Sequence, residues 1–447
     1  MKKILALLIM FNVHWAILNA QYSTLNDQTI RLFCDGDKCS ELTFKVTGEG
    51  TVHVRWADGV EGDYSHGMLP GQCYKDTITI TMPATITGFD CEGYCISWID
   101  VSGAPCLVSL NCADNQLAAL NVDSLPMLDE LRCSGNRIDK LSTAQNANLH
   151  YLDCADNYLS DLDLSGNPRL EVLCCSGNPI SRLSLTANDA LRGLWNTNGC
   201  IETLDLSLCR SINSLVLSSG RLRQLTLCAP SLLYDLWVDN NLLTSLDLRG
   251  TDALYSANLS NNRLESLDLR NFSTKTKIHL LDVSNNRLPF SSFYPYTKVE
   301  NYVCGLQQPI YSGYDSLRIN ELYEFSNLVT NAAGAKIGVL TAYDAQSDEE
   351  LEKGSSGKDY QYLIGRVRFW HELDSTYFVI TASKYPDLEI HTNAFVVYDP
   401  EAVGIHDTTL NPDNVQSSIY DLSGNRVNAM LPRGVYILNR KKVLYRP

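Results

Sequence analysis

The chain has 447 residues, a formal net charge of −15 at pH 7 and 45% hydrophobic residues. This acidity argues against a nucleic-acid binder, because phosphates require a basic surface. The hydrophobic fraction is sufficient for a buried core, and the length predicts two to four domains at roughly 150 residues each.

Residues 1–20 have the pattern of a secretory signal peptide. Lys2 and Lys3 precede an apolar run over residues 4–18, and Ala20 offers a small residue for cleavage. The apolar run is short for a membrane span, so the pattern favours cleavage over anchoring. No later stretch of the sequence is long and apolar enough to span. We therefore expect an exported chain without a transmembrane segment.

Residues 21–85 predict a small β domain that caps the segment beginning at residue 86. Alternating segments such as LTFKV, VHVRW and TITITMP are separated by glycine and aspartate turns. Cys34 and Cys39 flank a short loop and are expected to form a disulfide. Cys73 is expected to pair with Cys95 or Cys106. Asp35 and Asp37 could hold calcium in principle, but a solvated turn is the favoured interpretation, and no cofactor or metal is predicted.

Residues 86–309 repeat one frame, L-x-x-L-x-C-x-x-N-x-L-x-x-L-x-L, followed by five variable residues. The step is 21 residues, except for one copy that starts 24 residues after its predecessor because of an insertion at 273–277. Such a period predicts a solenoid in which each coil buries its apolar positions against the next. The copies begin at Ile86, Leu107, Leu128, Leu149, Leu170, Leu191, Ile212, Leu233, Leu254 and Ile278, and a truncated copy begins at Val299.

Asparagine recurs at the ninth frame position, where its amide can bond backbone groups in the turn after the strand. Gly199 and Gly220 replace it in two coils and supply no side-chain bond. The others are expected to form a ladder along the solenoid: Asn115, Asn136, Asn157, Asn178, Asn241, Asn262 and Asn286.

The sixth frame position holds cysteine in five consecutive coils and again near the end. Leucine and valine replace it in later coils, which indicates that this position faces the core. Parallel neighbouring side chains have poor disulfide geometry, so free thiols are favoured over disulfides, and a metal or redox ladder is the least favoured alternative. The cysteines are Cys91, Cys112, Cys133, Cys154, Cys175 and Cys304.

This frame resembles the cysteine-ladder leucine-rich repeats of internalin-like bacterial surface proteins, over residues 86–308. The resemblance implies a right-handed solenoid with a parallel β-sheet on its concave face. It also implies binding of another macromolecule through that face. Residues 310–400, with segments such as KIGVLTAY, RVRFW and TYFVITAS, predict an antiparallel β-sandwich similar to the immunoglobulin-like module of those proteins.

Residues 401–416 are polar and predict a linker. Residues 417–447 contain IYDLSGNRV, GVYILN and the basic close RKKVLYRP. This tail resembles the C-terminal sorting domain of type IX secretion cargo, which implies display at the outer-membrane surface or release. The alternative is a final β-hairpin of the sandwich, and both interpretations hold if the hairpin is the signal.

No H-E-x-x-H, G-x-S-x-G or phosphate-loop motif is present, so the sequence predicts no enzyme, with a hydrolase in a flanking domain as a remote alternative. The main hypothesis is an adhesion or recognition protein that binds a protein or glycan on host or neighbouring cells. A structural envelope component is the competing class. Aromatic and acidic residues at outward positions predict the binding patch: Trp195, Trp237, Tyr234, Tyr255, Tyr151, Asp235 and Asp239.

Overall fold

The computed structural model describes residues 27–34, 42–71, 76–82, 85–229, 231–267, 278–293, 299–331, 334–383 and 385–399, together with three strands between 419 and 445. The predicted signal peptide, the linker, Asp35, Asp37, Cys39 and Cys73 lie outside these residues, so neither predicted cap disulfide is described. The chain divides into two compact units, residues 1–259 with 271–279 and residues 260–270 with 280–447.

The N-terminal cap is a set of antiparallel strands whose alternate side chains are buried, as the sequence alternation predicts. The second strand pairs with the first strand of the repeat region, which in turn pairs in parallel with the next coil. The rest of that first coil returns to pair with the first cap strand. Cap and repeats therefore share one sheet. The strands are β1 (Gln28–Cys34), β2 (Leu42–Arg55), β3 (Glu61–Gly71), β4 (Thr77–Met82), β5 (Ile86–Asp90) and β6 (Ile96–Gly103).

The repeats form a parallel-strand solenoid of about ten turns, which confirms the predicted fold class. In the first unit the register pairs each fourth-position residue with that of the next coil, such as Leu131 with Leu152. The strands are β7 (Ser109–Asn111), β8 (Glu130–Arg132), β9 (Tyr151–Asp153), β10 (Val172–Cys174), β11 (Gly193–Trp195), β12 (Thr203–Asp205), β13 (Ser214–Val216), β14 (Gln224–Thr226), β15 (Asp235–Trp237) and β16 (Ser256–Asn258).

The ninth-position asparagines form the predicted ladder. Asn157 shows the pattern: its Oδ1 accepts from the Ile138 N–H at 2.9 Å. Its Nδ2 donates to the carbonyls of Cys133, Cys154 and Ala155 at 2.9, 3.2 and 3.0 Å. Each such amide joins its own turn to the coil before it. Because the amide is buried, these bonds satisfy backbone groups that water cannot reach.

The eighth frame position has a left-handed backbone in every coil from the one that begins at Leu107 to the one that begins at Ile278, whether asparagine or glycine follows it. Its φ lies between 51° and 61° where the residue is Asp, Asn or Ser, and Gly135 and Gly177 have φ of 65°. Small polar residues and glycine tolerate this region best. The geometry therefore explains the eighth frame position: Asp114, Asp156, Asn198, Ser219, Asn240, Asn261 and Asn285.

A second buried asparagine ladder runs along the segment that the sequence frame treats as variable. Asn146, Asn167 and Asn188 occupy the nineteenth position of three consecutive coils and are fully buried. Asn167 Nδ2 donates to the carbonyls of Thr143 and Asn146 at 2.9 and 3.0 Å. Its Oδ1 accepts from the Thr143 hydroxyl at 2.7 Å. Asparagine at 21-residue spacing was the available signal, and we did not predict this ladder.

The pattern of polar residues at the sixth and ninth frame positions changes in the coils that begin at 191 and 212. Gly199 and Gly220 interrupt the ninth-position ladder, and Asn196 replaces the sixth-position cysteine. A Cβ on Gly199 would lie 2.6 Å from the Asn196 amide, so a residue larger than glycine does not fit at position 199 while Asn196 is present. A cavity of about 10 Å³ lies here. On the other side of the coil, β12 and β14 form an extra parallel pair.

The sixth-position cysteines face the core, as predicted. All six are buried and are free thiols. Burial raises the pKa of Cys91, Cys112, Cys133 and Cys154 well above 9.0, and that of Cys175 to about 12. Buried and neutral, these thiols pack as small apolar side chains.

The second unit begins with the end of the repeats and continues into two sheets and a short helix. Gln307 takes the ninth frame position of the truncated coil, donating to the Val283 and Cys304 carbonyls at 3.0 and 2.6 Å. The elements are β17 (Ile278–Asp282, its last three residues), a 3-10 turn (Phe290–Ser292), β18 (Val299–Val303), β19 (Leu306–Ile310), β20 (Ser316–Arg318), β21 (Tyr323–Glu324), α1 (Ser326–Val329), β22 (Val339–Asp344), β23 (Tyr360–Leu363), β24 (Arg366–Phe369), β25 (Leu373–Ala382), β26 (Tyr385–Thr392) and β27 (Phe395–Tyr398).

The predicted sandwich differs from the structure in strand direction. The larger sheet is mixed: β19 runs parallel to β26, and β20 runs parallel to β27, while the other pairs are antiparallel. Parallel pairs need long connections, and here the intervening strands supply them. Phe369 of the smaller sheet and Phe378 of the larger one lie 6.1 Å apart, ring to ring, so the two sheets share a core.

The tail contains three short antiparallel strands, β28 (Ile419–Tyr420), β29 (Gly434–Leu438) and β30 (Lys441–Tyr445). They pair with one another in the order β28-β29-β30, separately from the larger sheets. Among the described residues these strands extend neither sandwich sheet, so their pairing does not support a hairpin that belongs to the sandwich, and the sorting role remains a prediction.

Candidate recognition surface

The outward residues of the parallel sheet form rows, because the register stacks equal frame positions. We call the second, third, fifth and seventh frame positions together the sheet face. At the second position, four consecutive coils from Asp129 to Arg192 carry charged or ionisable residues that pair between coils. The imidazole of His150 lies 2.7 Å from the Asp129 carboxylate, and the Arg192 guanidinium lies 3.3 Å from Glu171. These side chains are largely solvated, so each pair contributes little to stability.

Further along the same row the charges give way to stacked rings. Tyr234 and Tyr255 stack at 4.8 Å with 7° between their planes, and Tyr255 stacks on His279 at 5.2 Å and 9°. Partial desolvation, followed by the nearby Tyr255 and Asp235, raises the pKa of Tyr234. The two tyrosines were predicted; His279 was missed, although the copy starting at Ile278 places it at the second position.

The fifth position carries the two predicted tryptophans. The strand register places Trp195, Val216 and Trp237 side by side on neighbouring strands. All three are half-buried. Trp195 leans over Gly193, since a Cβ there would lie 2.3 Å from the indole. Glycine at this point is therefore the reason that the indole can lie against its own strand.

The floor between the two aromatic rows is small and polar. Its third-position residues are Gly193, Ser214, Asp235 and Ser256, aligned by the same register. Asp239, the other predicted acid, accepts hydrogen bonds from Ser218 at 2.5 Å and from Asn240 at 2.5 Å.

Tyr151, the remaining predicted residue, lies in a separate group nearer the N-terminus. The Arg132 guanidinium lies 5.0 Å from the centre of its ring and donates to Glu130 at 2.7 Å. Burial raises the pKa of Tyr151, with Cys174 and Asp153 raising it further. The structure thus joins Trp195, Trp237, Tyr234, Tyr255, Asp235 and Asp239 on one stretch of the sheet face and places Tyr151 apart from them.

Among the described residues, no group of three or more His, Cys, Asp or Glu side chains is arranged to hold a metal ion. In the same part of the chain, none of the helices has the length and hydropathy needed to cross a membrane.

Comparison with known proteins finds no matching family model and no matching curated protein. Among solved structures, the functional domain of InlJ from Listeria monocytogenes, which includes a cysteine ladder, is 20% identical with a TM-score of 0.53. The match covers 70% of this chain and 67% of that one. InlF from Listeria monocytogenes is 18% identical over 52% of this chain and 72% of its own, at a TM-score of 0.42. YopM from Yersinia enterocolitica is 25% identical over 48% and 46%, at 0.38. The InlJ match and the repeat geometry together give this chain a leucine-rich-repeat fold with an internal cysteine ladder.

Proposed function

We propose that this chain is a recognition protein that binds another protein through its sheet face, and that it is not an enzyme. The observation that carries the proposal is the change of surface along the sheet. The early coils present ion pairs, whereas the coils from 191 to 279 present half-buried tryptophans and an exposed ring stack. Aromatic residues at a surface are enriched among binding hot spots. Repeat proteins commonly use such extended sheets as binding surfaces.

The experiment compares two tryptophan variants of the mature chain. The double change Trp195→Ala and Trp237→Ala removes the rings of the patch. Trp98→Ala removes an indole that is 46% exposed on β6 of the first coil, away from the patch, and serves as the matched control. Immobilised proteins are incubated with host-cell and envelope fractions, retained proteins are quantified by mass spectrometry, and thermal stability is measured in parallel.

We expect a specific partner to be retained by the wild type and by the control but lost from the double variant, at an unchanged melting temperature. A large fall in melting temperature would show that the rings belong to the packing. Equal retention by all three proteins would place the site elsewhere and would favour a scaffold role in the envelope. A retained polysaccharide in place of a protein would point to glycan binding.

We further propose that the protein is exported and displayed at the outer-membrane surface or released. The basic start with its apolar run, and the tail with its paired strands, support this proposal. Deleting residues 417–447 should trap the chain in the periplasm, since the tail would act after the signal peptide. Surface labelling of cells with and without the tail measures this, and equal labelling would contradict it.

A further inference from the structure

Asp235 is exceptional among the acids of the sheet face. Each other described carboxylate at these positions has a hydrogen bond or an ion pair, as in Asp129 with His150 and Glu171 with Arg192. In the described part of the chain, no hydrogen bond or ion pair reaches the Asp235 side chain. This carboxylate is half-buried, between the exposed Tyr234 and the half-buried Trp237 in sequence. A partly desolvated charge without a partner is unfavourable and favours a cation that would neutralise it.

The surroundings of Asp235 leave room for such a cation. Its neighbours in the third-position row are Ser214 and Ser256, which are small. Trp237 lies two residues further on the same strand, and thus on the same side of the sheet, about 7 Å away. Two strands back, Trp195 lies over Gly193 and closes the row.

The same face already contains this chemistry in completed form. Glu130, at the third position, binds the Arg132 guanidinium, which also lies over the Tyr151 ring. In the coil of Asp235, Trp237 stands at the fifth position, where Arg132 stands in the earlier coil, and Ser256 stands where Tyr151 does. Asp235 therefore has a carboxylate and a ring beside it, but no guanidinium from this chain and no side chain in the position of the Tyr151 ring. A planar guanidinium both stacks on an aromatic face and forms charge-assisted bonds to a carboxylate.

Resting on the proposed function, we infer that the protein partner inserts an arginine side chain onto Asp235, flanked by Trp195 and Trp237. The net charge of −15 agrees with a basic partner. Binding of a sugar by ring stacking fits less well, because Tyr255 has Tyr234 stacked on one face and His279 on the other.

The test uses the full mature chain and three defined probes. These are a blocked peptide of alternating glycine and arginine, the same peptide with neutral citrulline in place of arginine, and chitohexaose. Binding is measured by fluorescence anisotropy of labelled probes at low and high salt. The variants are Asp235→Asn, which keeps the shape of the side chain, and Asp205→Asn, an exposed acid on β12, as the matched control.

We expect the arginine peptide to bind more tightly than the citrulline peptide and to weaken with added salt. Asp235→Asn should weaken it about tenfold, and Asp205→Asn should leave it unchanged, as expected for loss of one charge-assisted bond. Equal binding of the two peptides, tighter binding of chitohexaose, or an unchanged Asp235→Asn variant would overturn the inference.

The partner-retention assay separates this inference from the proposed function. If the partner is lost with the two tryptophan changes but fully retained by Asp235→Asn, the recognition surface stands and the arginine anchor is wrong. If the partner is retained by both variants, the site lies outside the aromatic patch, and the proposed recognition surface and the arginine anchor are both wrong.

Discussion

The coils between 107 and 190 and the two coils between 191 and 232 follow the same frame with different interiors. The first group has a cysteine at the sixth position and an asparagine at the ninth in every coil. The second group has Asn196 or Leu217 at the sixth position and glycine at the ninth. Both groups nevertheless pair their strands in the same parallel register. The apolar positions thus define the solenoid, and the polar ladders stabilise it where they occur.

The interrupted coils also show how the chain compensates. Where the ninth-position side chain is missing, β12 and β14 add backbone hydrogen bonds on another side of the coil. Cys209 takes the nineteenth position after Asn188 and directs its thiol at the Leu185 carbonyl at 3.8 Å. The aromatic patch begins in the first of these coils, at Trp195. Regular bonding is therefore interrupted where the sheet face changes from ion pairs to rings.

The largest expected difference between the two groups is in alkali. Burial raises the pKa of these thiols in the folded state, and for Cys175 to about 12. Their contribution to the free energy of unfolding is therefore fully present below pH 9.0, the pKa of an unperturbed thiol. It is lost as the pH rises from there towards the folded pKa. At pH 10 each thiol of the regular coils should lower the free energy of unfolding by about 1.4 kcal/mol, because the unfolded thiol ionises. Urea unfolding at pH 8, 9 and 10 measures the slope.

A matched variant isolates the thiols from other groups that titrate in this range. Cys112→Val and Cys133→Val introduce the residue that Val238 and Val283 already place at this frame position. The double variant should lose less stability between pH 8 and 10 than the wild type does. Identical slopes would contradict a thiol origin.

The next largest effect is expected from one rung of the ninth-position ladder. Asn157→Ala removes an acceptor and three donated bonds inside the core, and it should cost about 3 kcal/mol by leaving buried backbone groups without partners. Asn148→Ala, whose part-buried amide donates to the Pro126 carbonyl, is the control and should cost less than half as much. Chemical denaturation measures the free energy of unfolding of both variants. Equal losses would show that the ladder amide stabilises the fold no more than a part-buried amide does.

A smaller effect should appear when the interruption is repaired. Gly199→Asn alone should destabilise the fold, because its Cβ would lie 2.6 Å from the Asn196 amide. Combined with Asn196→Cys, it recreates the pairing of Cys175 with Asn178 in the coil before. We expect the double variant to be at least as stable as the wild type, with a coupling of about 2 kcal/mol between the two sites. Additive single and double changes would show that Asn196 and Gly199 are independent.

The sequence predicted the solenoid, the coil starts and the inward cysteines because hydrophobic periodicity is a local signal repeated many times. It also predicted the ladder of Asn115 and its equivalents, since a polar residue that recurs beside apolar ones needs buried partners. The ladder through Asn167 was not predicted, because its asparagine recurs in only three coils, within a segment whose other residues vary. The left-handed backbone at Asp114 and its equivalents was likewise visible only as a preference for Asp, Asn and Gly.

The candidate surface was less predictable. The frame places Trp195 and Tyr234 outward, but only the structure shows that Gly193 accommodates the indole and that His279 extends the ring stack. The parallel pairing of β19 and β20 depends on contacts between residues far apart in sequence, which no local pattern records. The strand register also determines which charged side chains of successive coils meet. The sequence alone therefore does not show that Asp235 lacks a charged partner on the sheet face.

Each ladder amide forms hydrogen bonds to the coil before it, and this affects how a gene that encodes such repeats can change in length. Between 107 and 190 every coil offers its successor the same carbonyls and N–H groups, so excision or duplication of one whole repeat rejoins equivalent surfaces. The coil that begins at Leu191 is different, because Asn196 leaves no room for a side chain at position 199. Recombination within that coil would separate a matched pair, so we expect it to be inherited as a single block while its neighbours vary in number.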